Sequence, residues 1–181
     1  MFKAILISSL FLLSGTTCME SIYTLSVVTI EGNTRAMGTY SGKKLLIITL
    51  PTVQNSSNDL LLHDLDSLGL ANADSLIIIA TPSYEDGYTP ANKSALTTWY
   101  RSILNSNIVI TDGLYTRKTS GTQQHPLFKW LTDKEKNGHF DLDVTGTRNK
   151  FFIWTDGELT GVLSAETKLG GLTMNELIQG W

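Results

Sequence analysis

The chain contains a single cysteine, Cys18, which sets the first limit on its chemistry. A thiolate is the nucleophile of thiol redox enzymes, and an internal disulfide would need a second cysteine. An apolar, strand-like run at residues 45–50 breaks at Pro51, passes through a polar loop and restarts with helical spacing. Redox enzymes often hold a reactive cysteine at such a strand-to-helix turn, and this turn has none. The sequence therefore indicates either a redox enzyme without its nucleophile or a fold that never used this chemistry.

Two short runs combine a histidine with carboxylates, which are side chains that bind divalent metals. They are HFDLD at residues 139–143 and HDLD at residues 63–66. The three histidines of the chain are scattered, and an alternation of this kind is common on a solvated surface. We therefore interpret both runs as structural and predict neither a metal site nor a cofactor.

The first seventeen residues differ in composition from the rest of the chain. The positively charged MFK is followed by the apolar AILISSLFLLSG, a pattern typical of a secretory signal peptide. We predict a signal peptide at residues 1–17, with Cys18 either incidental or lipidated as in a bacterial lipoprotein. The lipoprotein pattern is loose, because Gly15 and Thr17 occupy the positions where leucine and a small residue are usual. Both readings predict export, to the periplasm or to a lipid anchor on a bacterial membrane.

From residue 21 to residue 181 the hydrophobic pattern predicts one domain in which strands and helices alternate. The predicted strands are a hairpin of residues 22–30 and 34–38, buried runs at 44–50, 75–81 and 107–111, and a second hairpin around the Asp-Gly turn of KFFIWTDGELTGVLS. Four helices are predicted. The first begins near Asn58, with Ser56, Ser57, Asn58 and Asp59 as candidate caps, and the next two span residues 92–104 and 125–137. The last lies in LTMNELIQGW, with Thr173 as a candidate cap.

This order predicts an α/β, thioredoxin-like fold, in which a central mixed sheet is flanked by helices and preceded by a β-hairpin. His125 is expected to cap or pack at the start of a helix, and the tryptophans at positions 99, 130, 154 and 181 are expected to pack in or beside the core. The net charge is -3 and the basic residues are scattered, which argues against a nucleic-acid surface.

Four stretches of the chain carry a family resemblance: SIYTLSVVTIEGN, YSGKKLLIITLP, HPLFKWLTDKEKNG and NKFFIWTDGELTGVLS. Together they resemble the glutathione peroxidase family, whose members open with a similar "IYDF" hairpin and "Y-x-G-K-x-L-L-I-V-N" strand. The family later carries "HPLYKWL" and "KFLVDxxGKVV", and HPLFKWLT is the most specific match. The resemblance runs from about Ser21 to the C-terminus, and it implies a thioredoxin-like fold and thiol peroxidase chemistry.

The resemblance also implies where the catalytic residues would stand. The family's reactive cysteine or selenocysteine, directly after the "LLIV" strand, falls on Gln54, and the glycine that follows it falls on Asn55. The glutamine of "F-P-C-N-Q-F" falls on Glu85, and the tryptophan and asparagine of "W-N-F-x-K-F" fall on Gly146 and Thr147. All four catalytic positions therefore depart from the family.

Two further observations bear on activity. The resolving cysteine of many family members would lie in the helix around Trp99, and residues 19–181 contain no cysteine at any position. We therefore predict a non-catalytic pseudoenzyme or binding module whose partner, a protein or a small ligand, the sequence does not identify. The alternative is a divergent glutathione or thiol peroxidase of the oxidative stress response, acting through other residues.

Overall fold

A five-stranded mixed sheet forms the centre of the protein in the computed structural model, which describes residues 20–180. The predicted signal peptide, Cys18 and Trp181 lie outside the described residues. The strands are β1 (Ser26–Val28), β2 (Thr34–Ala36), β3 (Lys44–Leu50), β4 (Leu76–Pro82), β5 (Val109–Ile110), β6 (Lys150–Ile153) and β7 (Leu159–Leu163). The helices are α1 (Ser56–Ala71), α2 (Lys93–Ile103), α3 (Pro126–Thr132), α4 (Lys134–Asn137) and α5 (Leu172–Gln179).

The central sheet has the order β5-β4-β3-β6-β7. Strand β3 is parallel to β4 and antiparallel to β6, while β5 is parallel to β4 and β7 antiparallel to β6. Strands β1 and β2 form a separate antiparallel pair. The predicted mixed sheet, the N-terminal hairpin and the Asp-Gly hairpin are therefore confirmed.

Strand β3 has apolar neighbours on both faces, as its continuous apolar sequence predicts. Because successive side chains of a strand point to opposite faces, Leu46 and Ile48 belong to one hydrophobic cluster, and Leu45 and Ile47 belong to another. The first cluster contains the apolar faces of α1, α2 and α5, and the second contains the buried residues of α3. Helices thus cover both faces of the sheet.

The structure corrects the boundaries of two predicted elements. The predicted helix at 125–137 is two helices, because Asp133 between them has an extended backbone and its carboxylate accepts a hydrogen bond from the Glu135 N–H at 2.9 Å. In the N-terminal hairpin, each predicted strand forms pairing contacts through only three residues. 3₁₀ turns at Ile22–Thr24 and Met37–Tyr40 take the place of the outer residues of these predicted strands. These turns bury Ile22 and Met37 against the core.

The predicted helix caps also need correction. Helix α1 is capped by Asn55, one residue before the four candidates, through a 3.0 Å bond from the Asn58 N–H to the Asn55 side chain. Gly171 precedes α5, and Thr173 lies inside that helix. The third buried run is shorter than predicted, since only Val109–Ile110 pairs as a strand.

The predicted roles of His125 and of the described tryptophans are confirmed. His125 caps α3 by accepting a hydrogen bond from the Leu127 N–H at its Nδ1 (3.2 Å), and burial lowers its pKa. Trp99 and Trp130 are buried, and the half-buried Trp154 packs against the first cluster.

We expect Gly113→Ala to destabilise the fold, since a Cβ at position 113 would lie 1.9 Å from the ring of the buried Tyr88. Forced overpacking of this kind costs about 1–3 kcal/mol of unfolding free energy, which urea denaturation would measure. Gly170→Ala is the matched control, because nothing lies within 4 Å of its added Cβ. Equal stability of the two variants would contradict the packing described for Tyr88.

Candidate functional site

Thr49, at the C-terminal end of β3, contacts the loop that precedes β6. The Thr49 hydroxyl donates to the Gly146 carbonyl at 2.9 Å and accepts from the Asn149 N–H at 2.9 Å. The Thr49 carbonyl accepts from the Arg148 N–H at 2.7 Å. The positions of Gly146 and Thr147 are therefore held beside the end of the central strand.

The segment after β4 reaches the same edge of the sheet. The Thr52 hydroxyl, two residues past β3, donates a hydrogen bond to the carbonyl of Asp86. Glu85 precedes Asp86, and Gln54 follows Thr52 on the turn into α1. The structure thus gathers the chain segments that carry all four predicted site positions.

Gln54 is exposed on the β3–α1 turn. Amide side chains hold this turn, since Asn55 caps α1 and the Asn58 side chain donates to the Val53 carbonyl at 2.8 Å. A neutral amide at position 54 offers hydrogen bonds but no thiolate and no two-electron redox couple.

Glu85 is held by a dense set of hydrogen bonds. Its carboxylate accepts from the hydroxyls of Ser83 (2.6 Å) and Ser120 (2.5 Å), and from the N–H groups of Thr116 and Arg117 (both 3.0 Å). Burial raises the pKa of Glu85, but these hydrogen bonds outweigh it and lower the pKa to about 2. Glu85 therefore stays ionised and joins two loops, which is a structural role and not that of a proton donor.

The loop at residues 83–93, which contains Tyr84 and Tyr88, uses the side chains of both tyrosines in contacts within the protein. Tyr84 stacks on Tyr115 with ring centroids 4.6 Å apart. Tyr88 is buried and donates its hydroxyl proton to the carboxylate of Asp112, which also pairs with Lys93 at 2.7 Å. The loop is thus part of the folded framework beside the site.

The His-carboxylate runs do not converge on a metal centre. Asp66 accepts two hydrogen bonds from Asn105, while Asp141 pairs with Lys118 and His139 lies 3.7 Å from Glu158. Within residues 20–180, no group of three or more His, Cys, Asp or Glu side chains is placed to hold a metal ion.

Sequence reasoning missed Arg148, which has an unusual backbone conformation. Its backbone φ is +68°, in the left-handed region that residues other than glycine rarely adopt. Its guanidinium reaches the first turn of α1, where Nη2 donates to Asn58 Oδ1 at 2.7 Å and to Ser57 Oγ at 3.0 Å. Nothing in the local sequence TRNK marks this arginine as exceptional.

Lys150, which sequence reasoning also missed, is a buried cation at the same edge of the sheet. It is 1 % exposed, and its Nζ donates to the carbonyls of Arg148 (2.8 Å) and Ser164 (3.0 Å). Burial, aided by the positive charge of Arg148 and opposed by Glu166, lowers its pKa to about 8. A lysine at the head of the apolar run KFFI is the signal that could have found it.

Comparison with known proteins agrees with this architecture. The apo structure of the protein Trgpx aligns with a TM-score of 0.63 at 19% identity, covering 88% of this chain and 94% of that one. A thioredoxin-family thiol:disulfide interchange protein from Chlorobium tepidum aligns with a TM-score of 0.59 at 13% identity, covering 91% and 97%. The chain has a thioredoxin-like fold. The exposed lipoprotein thioredoxin Etrx1 of Streptococcus pneumoniae also aligns, with a TM-score of 0.55 at 17% identity over 83% and 96%.

At the level of sequence, no protein-family model and no curated protein matches the chain. The similarity to thioredoxin-fold proteins is therefore one of fold, shared by peroxidase-like and disulfide-exchange proteins alike. Within the described part of the chain, no helix has the length and hydrophobicity needed to cross a membrane.

We expect Glu85→Gln to lower the free energy of unfolding by about 1–3 kcal/mol at pH 7, because charge-assisted hydrogen bonds to a part-buried carboxylate would be weakened. The folded-state pKa is depressed, so the carboxylate's contribution is fully present above about pH 4.5 and is lost as the pH falls towards 2. The stability gap between wild type and variant should therefore narrow between pH 5 and pH 3 in urea titrations.

The matched control is Glu176→Gln, which changes an exposed glutamate on α5. A gap for Glu85→Gln that stays constant with pH, or one no larger than that of Glu176→Gln, would contradict the structural role of Glu85.

Proposed function

We propose that the protein is an exported, glutathione-peroxidase-like thioredoxin-fold protein that lacks the peroxidatic residues and acts as a non-catalytic binding module. One observation carries this proposal: residues 19–181 contain no cysteine, and Gln54 occupies the exposed turn between β3 and α1. The fold is retained around a turn from which the reactive sulfur is missing.

The chemistry of thiol peroxidases explains why this one absence is decisive. A thiolate attacks one peroxide oxygen, the O–O bond breaks, and the sulfur becomes a sulfenic acid that a second thiol reduces back. No other side chain near the turn supplies such a sulfur, since the methionines at positions 37 and 174 are buried in the clusters on the two faces of the sheet. Glu85, at the position of the family's polarising glutamine, is fully engaged by hydrogen bonds.

A divergent glutathione or thiol peroxidase of the oxidative stress response is the second candidate. The observation that favours it is the fold, because the similar solved structures include a thiol:disulfide interchange protein and a thioredoxin. Such an enzyme would have to use Gln54, Glu85 or another side chain in place of sulfur.

Export is proposed from the apolar leader at residues 1–17, with lipidation of Cys18 as its sharper form. The similarity in fold to an exposed lipoprotein thioredoxin is consistent with such a location. A lipidated Cys18 would have no free thiol. With or without lipidation, the folded domain contains no cysteine, because residues 19–181 have none.

We expect the full chain carrying Cys18→Ser, which contains no cysteine, to consume no hydrogen peroxide above the buffer rate with glutathione or with thioredoxin as reductant. The assay follows peroxide loss directly, and the unmodified chain is run in parallel to expose any contribution from Cys18. Turnover by the cysteine-free chain would overturn the proposal, and its loss in Gln54→Ala or Glu85→Gln would identify the divergent enzyme.

We also expect Gln54→Cys, introduced into the Cys18→Ser chain, to recover at most a trace of peroxidase activity. The new thiol would precede the N-terminus of α1, which favours a thiolate, but Glu85, Gly146 and Thr147 replace the family's polarising side chains. Ser26→Cys, at an exposed position on β1, controls for a thiol elsewhere on the surface. Robust turnover from Gln54→Cys alone would show that the remaining site is still competent.

A further inference from the structure

A groove of about 720 Å³ runs along α1 beside the loop between β7 and α5. Leu60, Leu61, Leu68 and Leu169 supply its apolar lining, and its cations are Arg148, Lys150 and Lys168. Leu60 is 62% exposed, so a large apolar side chain faces open space there. The groove starts at Ser57 in the first turn of α1, three residues after Gln54, and so adjoins the turn that has lost its sulfur.

Two of these cations, Arg148 and Lys150, are held in place at a local cost. Arg148 adopts a left-handed backbone that costs an L-residue free energy, and such outliers concentrate at functional sites. Lys150 is 1% exposed and gives two of its three ammonium protons to backbone carbonyls. Because the Lys150 Nζ binds the Arg148 carbonyl, the two residues form one unit at the end of the groove.

The hydrogen-bond inventory leaves donors available for a ligand. The bonds that the Arg148 guanidinium makes to Ser57 and Asn58 all come from Nη2, which leaves Nη1 and Nε among the donors of the fork. Both bidentate forks of a guanidinium include Nη2, so a ligand carboxylate would accept single charge-assisted hydrogen bonds from Nη1 or Nε.

The charges around the groove favour an anion with a single negative charge. Asp64 on α1 and Glu166 in the β7–α5 loop line it together with Lys168, Arg148 and Lys150. These five groups sum to one net positive charge at neutral pH, and the two carboxylates repel a dianion such as phosphate. The leucines would cover the apolar body of a ligand whose head group meets the cations.

We propose that this groove is a binding site for a small amphipathic carboxylate, with the head group on Arg148 and Lys150 and the apolar body along Leu60, Leu61 and Leu169. The proposal rests on the proposed binding function and names its class of ligand. It is tested by direct binding, so it fails or stands independently of any peroxide turnover.

The test is an isothermal titration of the full chain with octanoate at pH 7, with 1-octanol and inorganic phosphate as comparison probes. Octanoate should bind measurably more tightly than either, because 1-octanol lacks the charge and phosphate lacks the apolar body. Equal binding of 1-octanol would overturn the role of the cations. Equal binding of phosphate would reduce the groove to a general anion site, and no binding of octanoate would overturn the proposal.

Matched substitutions test the residues one by one. Arg148→Gln should weaken octanoate binding by about tenfold or more, while Arg35→Gln, on the exposed strand β2, removes the same charge and should leave binding unchanged. Leu60→Asn should weaken binding about threefold or more, whereas Leu70→Asn changes another exposed leucine of α1 that lies outside the groove and serves as its control. Equal effects within either pair would contradict the assigned contacts.

Arg148→Gly separates binding from folding, because glycine adopts a φ of +68° without strain. This variant should keep the thermal midpoint of the wild type within a few degrees and still lose octanoate binding. A Tm that falls sharply would show that Arg148 serves the fold through Ser57 and Asn58, and it would overturn the assignment of Arg148 to ligand binding.

The pH dependence of binding provides a readout that a structural role would not move. The charged groups that act on Lys150 are Arg148, two residues before it in the chain, and Glu166 in the β7–α5 loop. Asp64 and Lys168 line the same groove. Because the pKa of Lys150 is about 8, octanoate affinity should fall as the pH rises from 7 to 9.5. An affinity that does not change over that range would exclude Lys150 from the site.

Discussion

The end of β3 imposes the constraint on which the edge of the sheet depends. Thr49 is completely buried there, so its hydroxyl and its carbonyl must find partners inside the protein. The loop before β6 supplies them, with Gly146 and Asn149 on the hydroxyl and Arg148 on the carbonyl. The Asn149 side chain closes this loop by accepting hydrogen bonds from the N–H groups of Thr145 and Gly146.

Satisfying Thr49 has consequences along the chain. The Arg148 N–H must point to β3 while its carbonyl accepts from the Lys150 Nζ, and the residue holds both contacts in the left-handed conformation. The same loop geometry directs the guanidinium of Arg148 to the first turn of α1. The contacts of a buried threonine thus fix the backbone that carries both cations.

The sequence predicted those parts of the fold that follow from regular hydrophobic patterns. The continuous apolar run at β3 and the Asp-Gly turn between β6 and β7 each specify one structure. The helix break at Asp133 was missed, because an aspartate between two helical patterns can either continue the helix or cap a new one. Glu85 was assigned to the site face by resemblance, and only the geometry showed that Ser83, Ser120 and two backbone N–H groups already hold its carboxylate.

Arg148 and Lys150 were missed for a different reason, since their importance lies in energetic costs that no local pattern displays. A left-handed arginine costs about 1 kcal/mol or more relative to glycine, and a buried lysine loses hydration that two carbonyls only partly replace. Such unfavourable arrangements persist where many surrounding contacts hold them, and they are frequent at sites where a protein binds a ligand or carries out a reaction. In this chain both costs fall beside the β3–α1 turn, which carries Gln54 and no cysteine. The two cations and the apolar groove beside this turn are therefore the part of the structure whose energetic cost calls for a function.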